Sequence, residues 1–236
     1  GMVMVQTVKE NRLPIQTLVP EAVVVIGDDQ KLWRDAINWA DVLLLGPGLG
    51  VGPSSLKRAE WFLTEAKYRN LPTVIDADGL NLLSMYPKLM DFLPANTILT
   101  PHMGEFSRLS SFNMEKIKGN PIGAAQEYVK KNAVTLVLKD ARTVITGEGE
   151  TYLNMRGNSG MATAGSGDVL AGLLAGLLAS ERDTYMGNRK SMSLTKLAAS
   201  GVLLHSLAGE EAAKMHGKRS MTAGKILEGL EKEILR

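Results

Sequence analysis

The chain has 236 residues, 44% of them hydrophobic, which is enough to build a sizeable core in one large α/β domain. Its 27 basic and 25 acidic residues leave a net charge of +2, too small to indicate binding to nucleic acid or to a membrane surface. It has no cysteine and no apolar run of membrane-spanning length, so we expect no disulfides, no thiol catalysis and a cytoplasmic location.

Short β-rich runs alternate with amphipathic helical patterns over the first half of the chain. The runs that indicate buried strands lie at 22–26, 41–46, 72–78, 96–101 and 133–139, and helical patterns lie at 54–69, 104–111 and 121–132. Continuously apolar strands that alternate with helices are typical of βαβ units, in which helices cover both faces of the sheet. We therefore predict a single α/β domain with a mostly parallel central sheet.

The pattern changes after residue 139. Residues 142–155 indicate a β-hairpin with its turn at "GEG", residues 147–149. Helical patterns then follow at 168–180, 193–216 and 222–235, with a polar loop at 181–191. His205, inside the second of these helices, is interpreted as a core or boundary residue.

Two glycine-containing segments directly follow predicted strands. In "GPGLG" (Gly46–Gly50), the backbone can approach a ligand at the sheet edge where open α/β sheets bind them, although a tight strand-to-helix turn explains the same residues. In "TPHMGEF", His102 is a candidate ligand contact or proton partner, and Glu105 a candidate holder of a metal-bound water. A hydrogen-bonded loop histidine and a glutamate that complements a helix dipole are the structural alternatives.

The segment "TAGSGDV" (Thr163–Val169) is the most informative. Its small residues allow backbone N–H groups to converge at the start of a helix, as in sites for phosphate. Asp168 then lies where it can reach a substrate hydroxyl, although a helix-capping carboxylate is the alternative. The apolar helix that follows is predicted to be buried and to fix this site rigidly.

Two further segments carry polar residues at strand ends. In "VIDADGLN", Asp76 and Asp78 lie two residues apart, and Asp78 could equally be the N-cap of the next helix. In "LKDARTVI", Lys139 and Arg142 could meet phosphates, although exposed loop cations are commonly just solvated.

Five motifs occur in a recognisable order: "LLLGPGLG", "VIDADGLNLL", "TPHMGEFSRL", "VLKDARTVI" and "MATAGSGDVLAG". Together they resemble the ADP/ATP-dependent NAD(P)H-hydrate dehydratases, a branch of the ribokinase-like superfamily. The resemblance implies a three-layer α/β/α sandwich and the repair of hydrated NADH or NADPH. In this reaction ADP or ATP, with Mg²⁺, phosphorylates the hydroxyl of the hydrated ring, and loss of phosphate restores the nucleotide.

The resemblance also implies roles for individual residues. Asp168 corresponds to the catalytic base, and Glu105 to the acid that holds Mg²⁺ through water. The anion hole corresponds to the backbone N–H groups of Ala164, Gly165, Ser166 and Gly167. The hydrated-nucleotide pocket corresponds to Gly48, Gly50, His102 and Asp168, and the adenine-nucleotide site to Lys139, Asp140, Ala141, Arg142, Thr143 and Gly167.

The sequence departs from the family pattern in three places, one of which is Ala164, where glycine is common in the family. The family usually opens with a further βα unit, which we expect this chain to lack, with an exposed sheet edge that favours a homo-oligomer. Asp140 stands where the family has glycine and puts an acid near the nucleotide phosphates. A small-molecule kinase of the hydroxymethylpyrimidine or thiazole type, and a nucleotide-binding protein without turnover, are the alternative functions.

Overall fold

A computed structural model describes residues 1–27, 29–181 and 192–234 of the chain. The chain divides into two compact units, residues 1–41 and residues 42–236. The arrangement as one domain stays a prediction. Most of the predicted polar loop, residues 182–191, and the predicted helix end at residue 235 lie outside the described residues. No described helix is both long and apolar enough to cross a membrane.

The first unit holds a small parallel sheet and two helices. Strand β1 (Met4–Thr7) pairs in parallel with β2 (Val23–Ile26), and helix α1 (Arg12–Leu18) connects them. Helix α2 (Gln30–Trp39) follows and begins where the Asp29 side chain accepts a hydrogen bond from the N–H of Lys31, at 2.8 Å. Only β2 was predicted from the sequence. Helix α1 has no buried residue, so its sequence carries no amphipathic pattern.

The second unit is built on a six-stranded sheet. In spatial order, which is also chain order, the strands are β3 (Leu43–Leu45), β4 (Thr73–Ile75), β5 (Thr97–Leu99), β6 (Thr135–Leu138), β7 (Val144–Gly147) and β8 (Glu150–Leu153). Strands β3 to β6 are parallel, and β7 and β8 form the predicted antiparallel hairpin. Its two-residue turn has positive φ at Glu148 (46°) and Gly149 (79°), which suits the twist of a hairpin.

Helices cover both faces of this sheet. They are α3 (Pro53–Tyr68), α4 (Asp78–Met85), α5 (Met103–Ser110), α6 (Met114–Gly119), α7 (Pro121–Asn132), α8 (Ser166–Ser180), α9 (Leu194–His216) and α10 (Ala223–Ile234). Adjacent residues of one strand point to opposite faces of the sheet. Ile75 packs into a cluster with residues of α3 to α7, whereas Val74 packs into a cluster with residues of α8 and α9. The three-layer α/β/α sandwich predicted from the sequence is therefore confirmed.

Candidate active site

The carboxyl ends of the parallel strands β3 to β6 lie along one edge of the sheet, and the predicted motifs begin there. The glycine segment 46–50 follows β3, Asp76 follows β4, the segment 100–105 follows β5, and Lys139 follows β6. An additional parallel bridge between His102 and Lys139 extends the pairing of β5 and β6 beyond the strands. The fold thus gathers motifs that are far apart in sequence at a single edge.

The glycine segment after β3 packs directly against the turn after β4. Gly46 has φ of 129°, and a Cβ there would lie 1.8 Å from the carbonyl oxygen of Asp76, so only glycine fits. Gly48 and Gly50, the predicted substrate contacts, lie in the same loop, and the Gly50 N–H donates to Asp78 Oδ2 at 2.8 Å. The interpretation of Asp78 as an N-cap is wrong, because Ala77 occupies the cap position of α4 and Asp78 is its first residue.

A chain of hydrogen bonds joins this loop to helix α5. Asn81 Nδ2 donates to Asp78 Oδ1 at 3.3 Å, and the Arg108 guanidinium donates to Asn81 Oδ1 at 3.0 Å. Asp78 therefore links the Gly50 backbone to a cation on the next helix. This role, like that of Asn81, was missed from the sequence, although both residues lie in the quoted "VIDADGLN" motif.

The first turn of α5 is closed by its own side chains. His102 is the N-cap, and its Nδ1 accepts from the N–H groups of Gly104 (3.0 Å) and Glu105 (3.3 Å), while Glu105 Oε2 accepts from the His102 N–H at 2.8 Å. This reciprocal capping box satisfies the orphan donors of the turn. The two structural alternatives raised from the sequence, a hydrogen-bonded histidine and a glutamate at a helix start, are therefore both observed. The imidazole is 56% exposed and its Nε2 lies 3.6 Å from Glu105 Oε1, and a contact of this ring with a ligand stays a prediction.

The first turn of α8 is open by contrast. Gly165 is the N-cap with φ of 82°, a left-handed conformation that glycine adopts without strain, and no side chain caps the helix. Ser166 N–H donates to the Thr163 carbonyl at 3.2 Å. Within the described part of the chain, the N–H groups of Gly167 and Asp168 have no protein acceptor. The alternative of Asp168 as a capping carboxylate is wrong, because it is the third helical residue and makes no capping bond.

A buried ion pair lies beside this open turn. Lys139 Nζ is 2.7 Å from Asp76 Oδ1, and the two side chains are only 21% and 3% exposed. A Cβ on Gly167 would lie 3.3 Å from Lys139 Nζ and 3.7 Å from Asp76 Oδ2. The ammonium group therefore lies next to the turn that contains the unpaired N–H groups of α8, and a cation at a helix start favours an anion. Asp76 was not among the predicted site residues, and its place after a buried strand was the available signal.

The remaining predicted nucleotide contacts lie in the turn between β6 and β7. Asp140, Ala141 and Arg142 are exposed, and Thr143 is buried with its hydroxyl donating to the Asp140 carbonyl at 3.1 Å. This turn begins directly after Lys139, which lies beside Gly167. The Arg142 guanidinium donates to Met155 Sδ at 2.9 Å. Contact of the three exposed residues with a nucleotide stays a prediction.

The fold and the arrangement of the motifs at one sheet edge together define an α/β protein of the ribokinase-like kind. A solved ribokinase-like superfamily protein from Enterococcus faecalis superposes with a TM-score of 0.84 at 32% identity, over 99% of this chain and 76% of that one. The family model described as NAD(P)H-hydrate dehydratase matches residues 1–232. The chain belongs to the NAD(P)H-hydrate dehydratase family.

Two curated relatives show how the chain compares in length. The ADP-dependent (S)-NAD(P)H-hydrate dehydratase of Enterococcus faecalis is 34% identical over 91% of this chain and 68% of its own length. The bifunctional NAD(P)H-hydrate repair enzyme of Moorella thermoacetica is 39% identical over 80% of this chain, but the match spans only 34% of that protein. The chain thus spans about a third of the length of such bifunctional relatives.

Proposed function

We propose that the chain dehydrates hydrated NADH or NADPH with ADP or ATP as phosphoryl donor. The observation that carries the proposal is the open first turn of α8, where unpaired N–H groups lie beside the Lys139 ammonium and where Asp168 is an exposed residue of the same turn. The names of the Enterococcus and Moorella relatives support the choice of substrate. The partners are two small molecules, the hydrate and the adenine nucleotide.

The residues around the open turn divide the chemistry between them. Asp168 takes the proton of the ring hydroxyl as its oxygen attacks the terminal phosphoryl group, and AMP leaves from ADP or ADP from ATP. The N–H groups of Gly167 and Asp168, with Lys139, stabilise the charge that develops on the phosphoryl oxygens. The ring nitrogen lone pair then expels phosphate, and loss of a proton from the neighbouring carbon restores the double bond.

The described side chains could hold Mg²⁺ only through water molecules that the ion itself binds. Among the described residues no group of three or more His, Asp and Glu side chains could enclose a metal ion. Glu105 Oε2 accepts from the His102 N–H, and Oε1 lies 3.6 Å from His102 Nε2. Among the described residues Oε1 accepts no hydrogen bond, so it can accept one from a metal-bound water. Mg²⁺ characteristically keeps several waters and binds substrate phosphates. When bound, the ion would neutralise charge on the transferring phosphate.

The Asp168→Asn variant tests this function directly. The wild-type chain, given Mg²⁺, the hydrate and ADP or ATP, is expected to form NADH, which is followed by its absorbance. Asp168→Asn should lower turnover by roughly 10²- to 10⁴-fold while nucleotide affinity changes little, because only general-base catalysis is removed. Phosphorylation of a small alcohol without NADH formation would instead identify a kinase, and nucleotide binding without any turnover would identify a binding protein.

A further inference from the structure

One peptide group in the glycine segment after β3 is fixed at both of its polar atoms. Its carbonyl belongs to Leu49 and accepts from the Ser55 hydroxyl at 2.6 Å. Its N–H belongs to Gly50 and donates to Asp78 Oδ2 at 2.8 Å. Ser55 lies on α3 and Asp78 on α4, so two helices act on the same planar group. Loops are ordinarily more mobile than the elements that they connect, and these two bonds remove part of that freedom.

The exposed part of the segment lies between fixed points. The Leu49 N–H donates to the Gly46 carbonyl at 3.0 Å, which closes a tight turn that contains Gly48. Gly48 is exposed, and a Cβ there would meet no atom of the described residues within 4 Å. Its N–H has no acceptor among those residues. The direction of this free donor therefore depends on the turn and on the fixed peptide that follows it.

Two further side chains orient the Asp78 carboxylate. Asn81 Nδ2 donates to Asp78 Oδ1 at 3.3 Å, and Asn81 Oδ1 accepts from the Arg108 guanidinium at 3.0 Å. Because a guanidinium only donates and a carboxylate only accepts, a single orientation of the Asn81 amide satisfies both neighbours. An acid in the first turn of a helix complements the helix dipole without such partners, so the stability of α4 does not account for them. The linked side chains act instead on one N–H of the loop.

We propose that Asp78 is a positioning residue for the hydrated dinucleotide. It holds the Leu49–Gly50 peptide so that the loop presents Gly48 to the substrate. Asn81 and Arg108 in turn hold the carboxylate. The proposal rests on the dehydratase function given above, and it assigns Asp78 a role in binding the hydrate rather than in transferring the phosphoryl group. The predicted nucleotide contacts follow β6 instead, so the binding of ADP or ATP does not depend on Asp78.

Asp78→Ala tests the hold on the loop. Loss of the acceptor frees the Gly50 N–H, so its hydrogen exchange should accelerate, and the KM for the hydrate should rise about tenfold because the loop is misplaced. The fall in kcat should be smaller, and the KM for ADP or ATP should stay close to that of the wild type. Glu115→Ala is the matched control, because it removes an acid from the first turn of α6 whose carboxylate has no hydrogen-bond partner among the described residues. It should leave both KM values and the Gly50 exchange unchanged.

An exchange of two neighbouring side chains tests how Asp78 is held. Asn81→Asp places two carboxylates against each other. In Asp78→Asn, an amide that accepts from Gly50 directs its donors at those of Asn81. Each single variant should raise the KM for the hydrate several-fold. In the double variant Asp78→Asn/Asn81→Asp, the amide at position 78 can accept from the Gly50 N–H and donate to the carboxylate at position 81, which accepts from Arg108. The double variant should therefore return the KM for the hydrate to within about twofold of the wild type.

Three results would overturn the proposal. They are an unchanged Gly50 exchange in Asp78→Ala, an equal rise in the KM for the hydrate and for the nucleotide, and a double variant that binds the hydrate no better than the single variants. Lower stability with an unchanged KM for the hydrate would likewise reduce Asp78 to a structural role. A wild type that forms no NADH would refute the dehydratase function and the role in hydrate binding with it, and the Gly50 exchange would show separately whether Asp78 holds the loop.

Discussion

Helices α5 and α8 both begin near the carboxyl edge of the same sheet, yet their first turns are completed in opposite ways. In α5 the backbone donors are taken by His102 and the capping carboxylate of Glu105 closes the turn. In α8 the cap is Gly165, which has no side chain, and the next donors stay open within the described structure. A helix start that its own sequence satisfies has a mainly structural role, whereas one left open beside a lysine is ready for an anion.

Of the variants that test this difference between α5 and α8, the largest loss of turnover is expected from filling the open turn of α8. Gly167→Ala adds a methyl group 3.3 Å from Lys139 Nζ, in the space assigned to the phosphoryl group. We expect turnover to fall about 100-fold, as for a small displacement of reacting groups. Gly172→Ala, in the same helix, is the control: its added Cβ would meet no atom of the described residues within 4 Å, and it should keep full activity. Equal activity of the two variants in an NADH assay would show that the first turn of α8 is not part of the active site.

The second test separates the charge of Lys139 from its structural effect. Lys139→Met leaves the carboxylate of Asp76 buried without its partner, so the free energy of unfolding should fall by about 3 kcal/mol. Nucleotide affinity should fall as well. The double variant Asp76→Asn/Lys139→Met should regain stability in chemical denaturation but not nucleotide affinity in calorimetry. Recovery of both would show that Lys139 contributes nothing to binding beyond satisfying Asp76.

Acid should destabilise the chain through His205, a buried residue of α9, the helix that packs against α8. The folded pKa of His205 is lowered to about 4, mainly by burial, from an unfolded value near 6.5. The unfolded chain therefore binds more protons between these values, and stability is lost as pH falls through that range, by an amount on the order of 3 kcal/mol. His205→Leu should flatten this part of the profile of Tm against pH. An unchanged profile would mean that the ring ionises normally in the folded chain.

The smallest effects are expected at the closed turn of α5. His102→Ala removes the cap and should cost about 1 kcal/mol of stability, whereas His102→Asn supplies another capping acceptor and should cost less. If the exposed ring also contacts the hydrate, both variants should raise the KM for the hydrate alike. Stability from denaturation and KM from the NADH assay thus separate capping from substrate binding. A tenfold fall in kcat for His102→Asn would contradict the structural role assigned to this turn.

The sequence was most informative where hydrophobic pattern and glycine placement agree. Helices α3, α7 and α9 follow their predicted ranges closely, and strands β4 to β6 lie inside theirs, since each of these elements buries an apolar surface. The strands proved shorter than predicted, because flanking polar residues such as Asp76 already belong to the turns. Helix α1 was missed because all of its residues are partly or fully exposed.

Contacts across the sheet edge could not be predicted in the same way. Asp76 and Lys139 are 63 positions apart, and only the order of strands brings them together. The role of His102 as a cap depends on its Nδ1 being an acceptor, which no residue pattern specifies. The open turn of α8 was predictable because a single continuous segment, Thr163–Val169, contains all of it.

The ion pair beneath the glycine turn also sets how a phosphate can be received. A lysine ammonium group has three donors, and Asp76 takes one of them at 2.7 Å. The other two donors are left for a ligand oxygen, so in the proposed reaction Lys139 can bind a phosphate without losing its contact with Asp76. Because the Asp76 carboxylate is buried and the Lys139 side chain is only 21% exposed, dissolved ions screen the pair weakly, and Asp76 holds the cation in position without a ligand.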